Sequence, residues 1–166
     1  MKKQKPTDNN KVHIFNVTIN ENSPYLQEQN IKEKVWRSIA ILDSQSLYNL
    51  AEEIVNAFGF DFDHCFGFFD NLDSWTKAKV KYELFADTPE TRLENPNSKS
   101  VEKTKIQQVF TNVGDKMLFL FDYGDNWEFI VELKIIEKPD FKKLYPLLLE
   151  SAGKAPEQYP AFEDEK

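Results

Sequence analysis

Residues 113–137, VGDKMLFLFDYGDNWEFIVELKIIE, constrain the fold more than any other stretch of the chain. Two apolar runs free of Gly and Pro flank the short segment Asp122-Tyr123-Gly124-Asp125-Asn126. Gly124 or Asn126 can adopt positive φ, and Asp side chains can bond the amides of a tight turn. The pattern predicts a hairpin with arms at 115–123 and 126–137. In the second arm Trp127, Phe129, Val131, Leu133 and Ile135 share one face, while Glu128, Glu132 and Lys134 lie mostly on the other. That alternation belongs to a half-buried strand.

The rest of the chain supplies partners for this hairpin. Residues 11–20, KVHIFNVTIN, are β-branched and aromatic and read as a strand with His13, Phe15, Val17 and Ile19 on one face. Residues 34–42, KVWRSIAIL, are apolar on both faces and read as a central strand. A helix follows. Ser44 or Ser46 can cap it, Leu47, Leu50, Ala51, Ile54 and Phe58 recur at helical spacing, and Gly59 stands just past its end. A loop is expected at 59–63, then strands at 64–69 and 77–86. Residues 87–103, with Pro89 and Pro96, read as a long surface loop. Thr104 can cap a short helix reaching Phe110, and another short helix is expected at 141–150, followed by irregular chain. Residues 1–10 read as a disordered basic arm, 11–160 as one domain, and 161–166 as an acidic tail. Strands and helices do not alternate regularly. The expected class is therefore α+β, a single domain with a mixed, mostly antiparallel sheet and helices mainly on one face.

Composition excludes several function classes. The chain has 166 residues, 40% of them hydrophobic, with 14 Phe, 6 Tyr and 3 Trp. That is ample for a packed core without disulfides or a structural metal. Cys65 is the one cysteine, which excludes an intrachain disulfide and any multi-thiolate metal site. No apolar run is long enough to span a membrane, and the basic start of the chain lacks the apolar segment of a secretory signal, so a cytoplasmic protein is expected. The net charge of −7 argues against nucleic acid as the partner, because phosphate neutralisation drives that affinity. Walker, Rossmann, nucleophile-elbow and His-Glu-x-x-His motifs are all missing from the sequence.

VWRSI at 35–39, the helix ending in AFGF, DFDH at 61–64, the 113–133 block, YP at 145–146 and GKAPEQYP at 153–160 together resemble the plasmid pRiA4b ORF-3-like family. The resemblance spans about 11–160. It implies an α+β fold and an association with plasmids and insertion sequences, with no established activity. Phe129 stands where members often carry His, and Ala155-Pro156-Glu157-Gln158 replaces a Cys-Pro-Pro-Glu-Asp-like stretch. Any metal binding or chemistry that those residues support elsewhere is lost in this chain.

Five features carry candidate chemistry. DYGDNWE at 122–128 is either a hairpin turn anchored by Trp127 or a ligand site in which Asp122 and Asp125 face His64. In DFDH, Asp61, Asp63 and His64 can coordinate a divalent cation, although the spacing is not that of an EF-hand, or they can form a locally bonded loop. Cys65 follows His64, and adjacent strand residues face opposite ways, so the two cannot pair. Arg37 on a central strand requires a partner, either a structural carboxylate or a bound anion. Phe60, Phe62, Phe66, Phe68, Phe69 and Trp75 form either core or an exposed apolar patch.

The leading expectation is a non-enzymatic domain, an accessory of plasmids or insertion sequences, that binds an unidentified protein. It needs no cofactor, does not contact a membrane, and is a monomer or small homo-oligomer. The alternative is a metal-dependent hydrolase or nuclease using His64 with Asp122 and Asp125. A third reading uses the lysines of 2–5 and 99–105 on nucleic acid.

Overall fold

The computed structural model describes residues 3–161. In chain order these form β1 (Val12–Ile19), α1 (Pro24–Glu28), β2 (Trp36–Leu42), α2 (Leu47–Ala57), β3 (Phe66–Phe69), β4 (Lys81–Glu83), α3 (Pro89–Glu94), β5 (Ser98–Ser100), α4 (Ile106–Val109), β6 (Lys116–Phe121), β7 (Trp127–Glu137) and β8 (Leu147–Ala152). The strands make one open sheet in the order β5-β4-β3-β6-β7-β1-β2-β8. Every neighbouring pair is antiparallel except β4 with β5. This is the expected α+β class.

The two faces of the sheet differ because the side chains alternate. Phe15, Val17, Ile39, Ile41, Phe119, Phe129, Val131 and Leu133 point to an inner face, where α2 packs with Leu47, Leu50, Ala51, Ile54 and Val55. Leu26 of α1 and Ile106 of α4 join the same core. Helix α2 starts cleanly because Ser46 Oγ accepts from the Asn49 amide at 3.1 Å while the Asn49 side chain accepts from the Ser46 amide at 3.1 Å. It stops at Phe58, and Gly59 follows at φ 74°. The outer face carries two small apolar clusters, one around Ile14, Leu42 and Tyr145 and one around Phe69, Leu118 and Leu120. Between them a polar row, Ser38, Asn16, Glu132 and Lys116, crosses β2, β1, β7 and β6.

Several expectations are corrected. The apolar face of the second hairpin arm ends at Leu133. Ile14 pairs with Ile135 but Phe15 with Leu133, so the register shifts by one at Lys134. Ile135 turns outward at 47% exposure, and Ile136 packs against the inner core instead. The strand expected at 64–69 begins at Phe66, and that at 77–86 shrinks to β4 behind a 3₁₀ turn at Trp75–Lys77. The loop 87–103 contains α3 and β5. Thr104 does not cap the short helix after it: its hydroxyl donates to the Ser100 carbonyl, and Lys105 precedes α4. The helix expected at 141–150 is replaced by β8. Pro146 has no amide for an intrahelical bond and pushes its predecessor toward extended backbone, and Leu147–Ala152 then pairs with β2.

Of the expected N-terminal arm, Met1 and Lys2 lie outside the described residues. Gln4 exchanges two backbone hydrogen bonds with Tyr145. Of the tail, 162–166 lie outside as well.

A His64–aspartate cluster as the candidate functional site

The site forms where the loop before β3 meets the turn between β6 and β7. Asp122 follows the last residue of β6 and holds φ 66°, and Asn126 holds φ 55°. Asx chemistry fixes this five-residue turn. Asp122 Oδ1 accepts from the amides of Gly124 and Asp125 at 3.0 and 3.2 Å, and the Asp122 carbonyl accepts from the Asn126 amide at 2.7 Å. The Asp122 amide donates to the Cys65 carbonyl at 2.9 Å, which sets the turn beside His64.

His64 bridges two carboxylates. Its Nδ1 lies 2.7 Å from Asp63 Oδ1 and its Nε2 3.4 Å from Asp122 Oδ2. The Tyr159 hydroxyl donates to Asp63 Oδ2 at 2.8 Å and lies 3.2 Å from His64 Nδ1. The bond to Asp63 and the charge of Asp122 raise the His64 pKa above its ordinary value, against a smaller opposing effect of burial. Desolvation acts to raise the Asp63 carboxyl, but the bonds from His64 and Tyr159 prevail and hold it below the usual range. Desolvation and the bond to Asp63 push the Tyr159 hydroxyl up to about 12. Together these groups favour an imidazolium with a carboxylate at each ring nitrogen.

The cluster stands on an aromatic wall. Trp127, fully buried, stacks on Tyr25 with centroids 4.0 Å apart and planes at 22°, and Phe60 meets it edge-on at 4.6 Å. The Tyr25 hydroxyl donates to the Asp125 carbonyl at 2.6 Å. The C-terminal segment closes the other side. Gln158 Oε1 accepts from the Asp61 amide at 2.7 Å and its Nε2 donates to the Asp61 carbonyl at 3.2 Å. Gln29 binds the backbone of Glu157 in the same two-bonded way, at 2.7 and 2.9 Å.

The structure therefore brings together Asp63, His64 and Asp122, with Asp61 and Trp127 nearby. Asp125 reaches the cluster through its backbone. Among the described residues no group of three or more His, Cys, Asp or Glu side chains is placed to hold a metal ion. Arg37 belongs elsewhere. Its Nε donates to the Ala57 carbonyl at 2.9 Å, and its Nη1 donates to the carbonyls of Trp36, Ala152 and Gly153 at 2.8, 3.0 and 3.1 Å. Of the aromatic set, Phe60, Phe66, Phe68 and Phe69 are buried. Sequence reasoning missed Tyr25, Gln29, Gln158 and Tyr159. The one signal for the last two was their place in the GKAPEQYP stretch.

An open, mostly antiparallel sheet, packed by helices on one face and carrying a His–carboxylate cluster at one hairpin, defines an α+β single-sheet protein. The chain belongs to the plasmid pRiA4b ORF-3-like protein family, whose pattern matches residues 26–159. It is also similar to the crystal structure of a protein of unknown function from Methanosarcina mazei Go1, with a TM-score of 0.66 and 20% identity over 86% of this chain and 70% of that one. A search of the curated proteins gave no match. No helix among the described residues is long and apolar enough to cross a membrane.

Proposed function

We propose that this protein is a non-enzymatic cytoplasmic binding module that takes another protein on the open outer face of its sheet. The observation that carries the reading is a groove of about 430 Å³ over the polar row, lined by the half-buried Asn16, Thr18 and Glu132 and the exposed Lys116 and Lys134. Lys116 and Lys134 both pair with Glu132, at 3.3 and 3.0 Å, so the groove offers charged and amide groups of both kinds to a polar partner. The site chemistry supports the non-enzymatic side. A histidine whose two ring nitrogens both face carboxylates, with its pKa raised by the bond to Asp63, has neither nitrogen free to serve as a general base. The family name supports an accessory role on plasmids or related elements. The test is capture from the source cell with wild type, Asn16→Arg and His64→Ala. The reading expects one partner retained by wild type and His64→Ala and lost by Asn16→Arg. A partner indifferent to Asn16→Arg overturns it.

A second reading, a metal-dependent hydrolase or nuclease, rests on the 3.4 Å approach of His64 Nε2 to Asp122 Oδ2. In that reading His64 and Asp122, with Asp125 from the same turn, would hold a divalent cation that polarises a water or a phosphoryl oxygen. Native mass spectrometry of protein purified without chelator decides it. One added divalent ion, lost in His64→Ala and Asp125→Ala, supports it, and a bare mass rejects it.

A further inference from the structure

The segment 154–160, Lys-Ala-Pro-Glu-Gln-Tyr-Pro, is attached differently from the rest of the chain. Among the described residues no main-chain to main-chain hydrogen bond links it to any other element. Side chains hold it instead. On one side Gln29, at the end of α1, binds both the amide and the carbonyl of Glu157. On the other, Gln158 binds both the amide and the carbonyl of Asp61, and the Tyr159 hydroxyl donates to Asp63. These bonds all lie in exposed positions. Pro156 is buried and Ala155 packs against the main core, while Glu157 and Tyr159 face solvent. The root of the segment is fixed, because Arg37 donates to the carbonyls of Ala152 and Gly153. Beyond Gly153 the exposed bonds each contribute little net, so the segment belongs to the easily opened part of the molecule.

We propose that the gap between the end of α1 and the loop before β3 is a site for an extended peptide of a partner protein, with the pattern small residue-Pro-x-Gln-Tyr, and that residues 155–159 fill it in cis. The chain's own segment shows what the site recognises. A side-chain amide bonded to both main-chain groups of one residue fixes an extended backbone and leaves the side chain at that position unread. Gln29 does this at Glu157, whose side chain faces solvent. The neighbours supply the specificity: a buried proline before, an amide that reaches Asp61 after, then a hydroxyl for Asp63. Prolines at 156 and 160 restrict the backbone in advance, which lowers the cost of ordering it. A partner peptide of this pattern makes the same bonds when the cis segment lifts. The tether makes that segment a strong competitor, at an effective concentration of about a millimolar. Binding in trans is therefore gated by opening. The net charge of −7 opposes the other source of such a peptide, exchange of the segment between two copies. The site shares no residue with the outer-face groove and does not rest on that reading.

The test uses the full chain carrying Gln158→Ala and a synthetic peptide of residues 153–161. The substitution strips the bonds to Asp61 from the cis segment and leaves Gln29, Asp61 and Asp63 in place. The Asp61 amide should then exchange faster, because its acceptor is Gln158 Oε1. Adding the peptide should restore that protection saturably, and a peptide carrying Gln158→Ala should not. By fluorescence anisotropy the labelled peptide should bind Gln158→Ala about tenfold more tightly than wild type, the effect of two such bonds on the opening equilibrium. Adding Gln29→Ala to Gln158→Ala should abolish the binding. The two peptides are compared on one folded sample, so a less stable variant does not imitate the rescue. No protection of Asp61 at about millimolar peptide overturns the proposal. Protection indifferent to the glutamine of the peptide, or to Gln29, overturns it too. A doubled chain mass in wild type that Gln29→Ala abolishes does the same, since the occupant is then the segment of a second copy.

Discussion

Arg37 and His64 are both cationic side chains met by several oxygens, yet they are built in opposite ways. Arg37 is 6% exposed, and its hydrogen bonds run to main-chain carbonyls from three places: the end of α2, its own strand and the end of β8. Its guanidinium carbon also sits 4.8 Å from the centre of the Phe58 ring. His64 has a side chain 39% exposed, and its partners are carboxylates on movable side chains. Backbone oxygens cannot turn away or take up a proton, and carboxylates can do both. Arg37 is therefore a brace and His64 an adjustable contact, and the two should respond differently to substitution and to pH.

The largest effect should come from Arg37→Met. It keeps much of the buried aliphatic volume but strips the donors from four carbonyls, each costly to leave unpaired. A loss of about 3 kcal/mol is expected, a fall of roughly 10 °C in the unfolding midpoint for a chain of this length. A variant as stable as wild type would show that water replaces the guanidinium and that the brace is dispensable.

Gly153→Ala attacks the same brace from the other side. Gly153 holds φ 77°, and a Cβ there would stand 2.6 Å from the Lys34 carbonyl oxygen. The residue follows β8 directly and its carbonyl accepts from Arg37. Strain and backbone displacement should together cost about 2 kcal/mol, and hydrogen exchange should speed at Ser151 and Ala152 before it does in the core strands. Uniform loss of protection would place the end of β8 inside the global cooperative unit.

His64→Ala should cost less, under about 1 kcal/mol, because solvent screens the pair. Its signature is the pH dependence. The folded pKa of His64 lies above the ordinary 6.5. Its stabilisation is therefore complete below that value and disappears as pH rises through the folded pKa. Wild type minus His64→Ala stability should shrink over that window, whereas the cost of Arg37→Met should stay flat. An NMR titration of His64 should read above 6.5 in wild type and lower in Asp63→Asn. A His64 titrating below 6.5 would contradict the imidazolium.

The two cations were also unequally legible in sequence. Arg37 was marked by its place in an apolar strand, and a carboxylate or anion was the natural partner to expect. Carbonyls at a helix end and after β8 carry no side-chain signature, and the segment holding Ala152 was itself expected to be helix or loop. His64 and Asp122 were singled out together because both flank strand ends of recognisable type. Asp63 is its neighbour in sequence. Tyr159 carries no such mark, since 95 residues separate it from His64 and no periodicity links a C-terminal loop to a particular turn. The same limit hid the bulge at Lys134: one extra residue reverses the alternation beyond it, and only the pairing with β1 reveals where it falls.

The smallest effect separates the tyrosine from the histidine within the cluster. Tyr159→Phe removes one donor from Asp63 Oδ2 and leaves the His64 bond to Oδ1 in place. With the side chains around it part exposed, the stability change should be a few tenths of a kcal/mol. Its readout is instead the Asp63 carboxyl, which should titrate higher than in wild type, since the tyrosine bond lowers it. The exchange of the Asp61 amide should be unaltered, because Gln158 and not Tyr159 holds it. If Asp61 exchange speeds as well, the hydroxyl is what keeps the C-terminal segment on the loop, and the cluster fastens two parts of the chain as Arg37 does, by side chains in place of carbonyls.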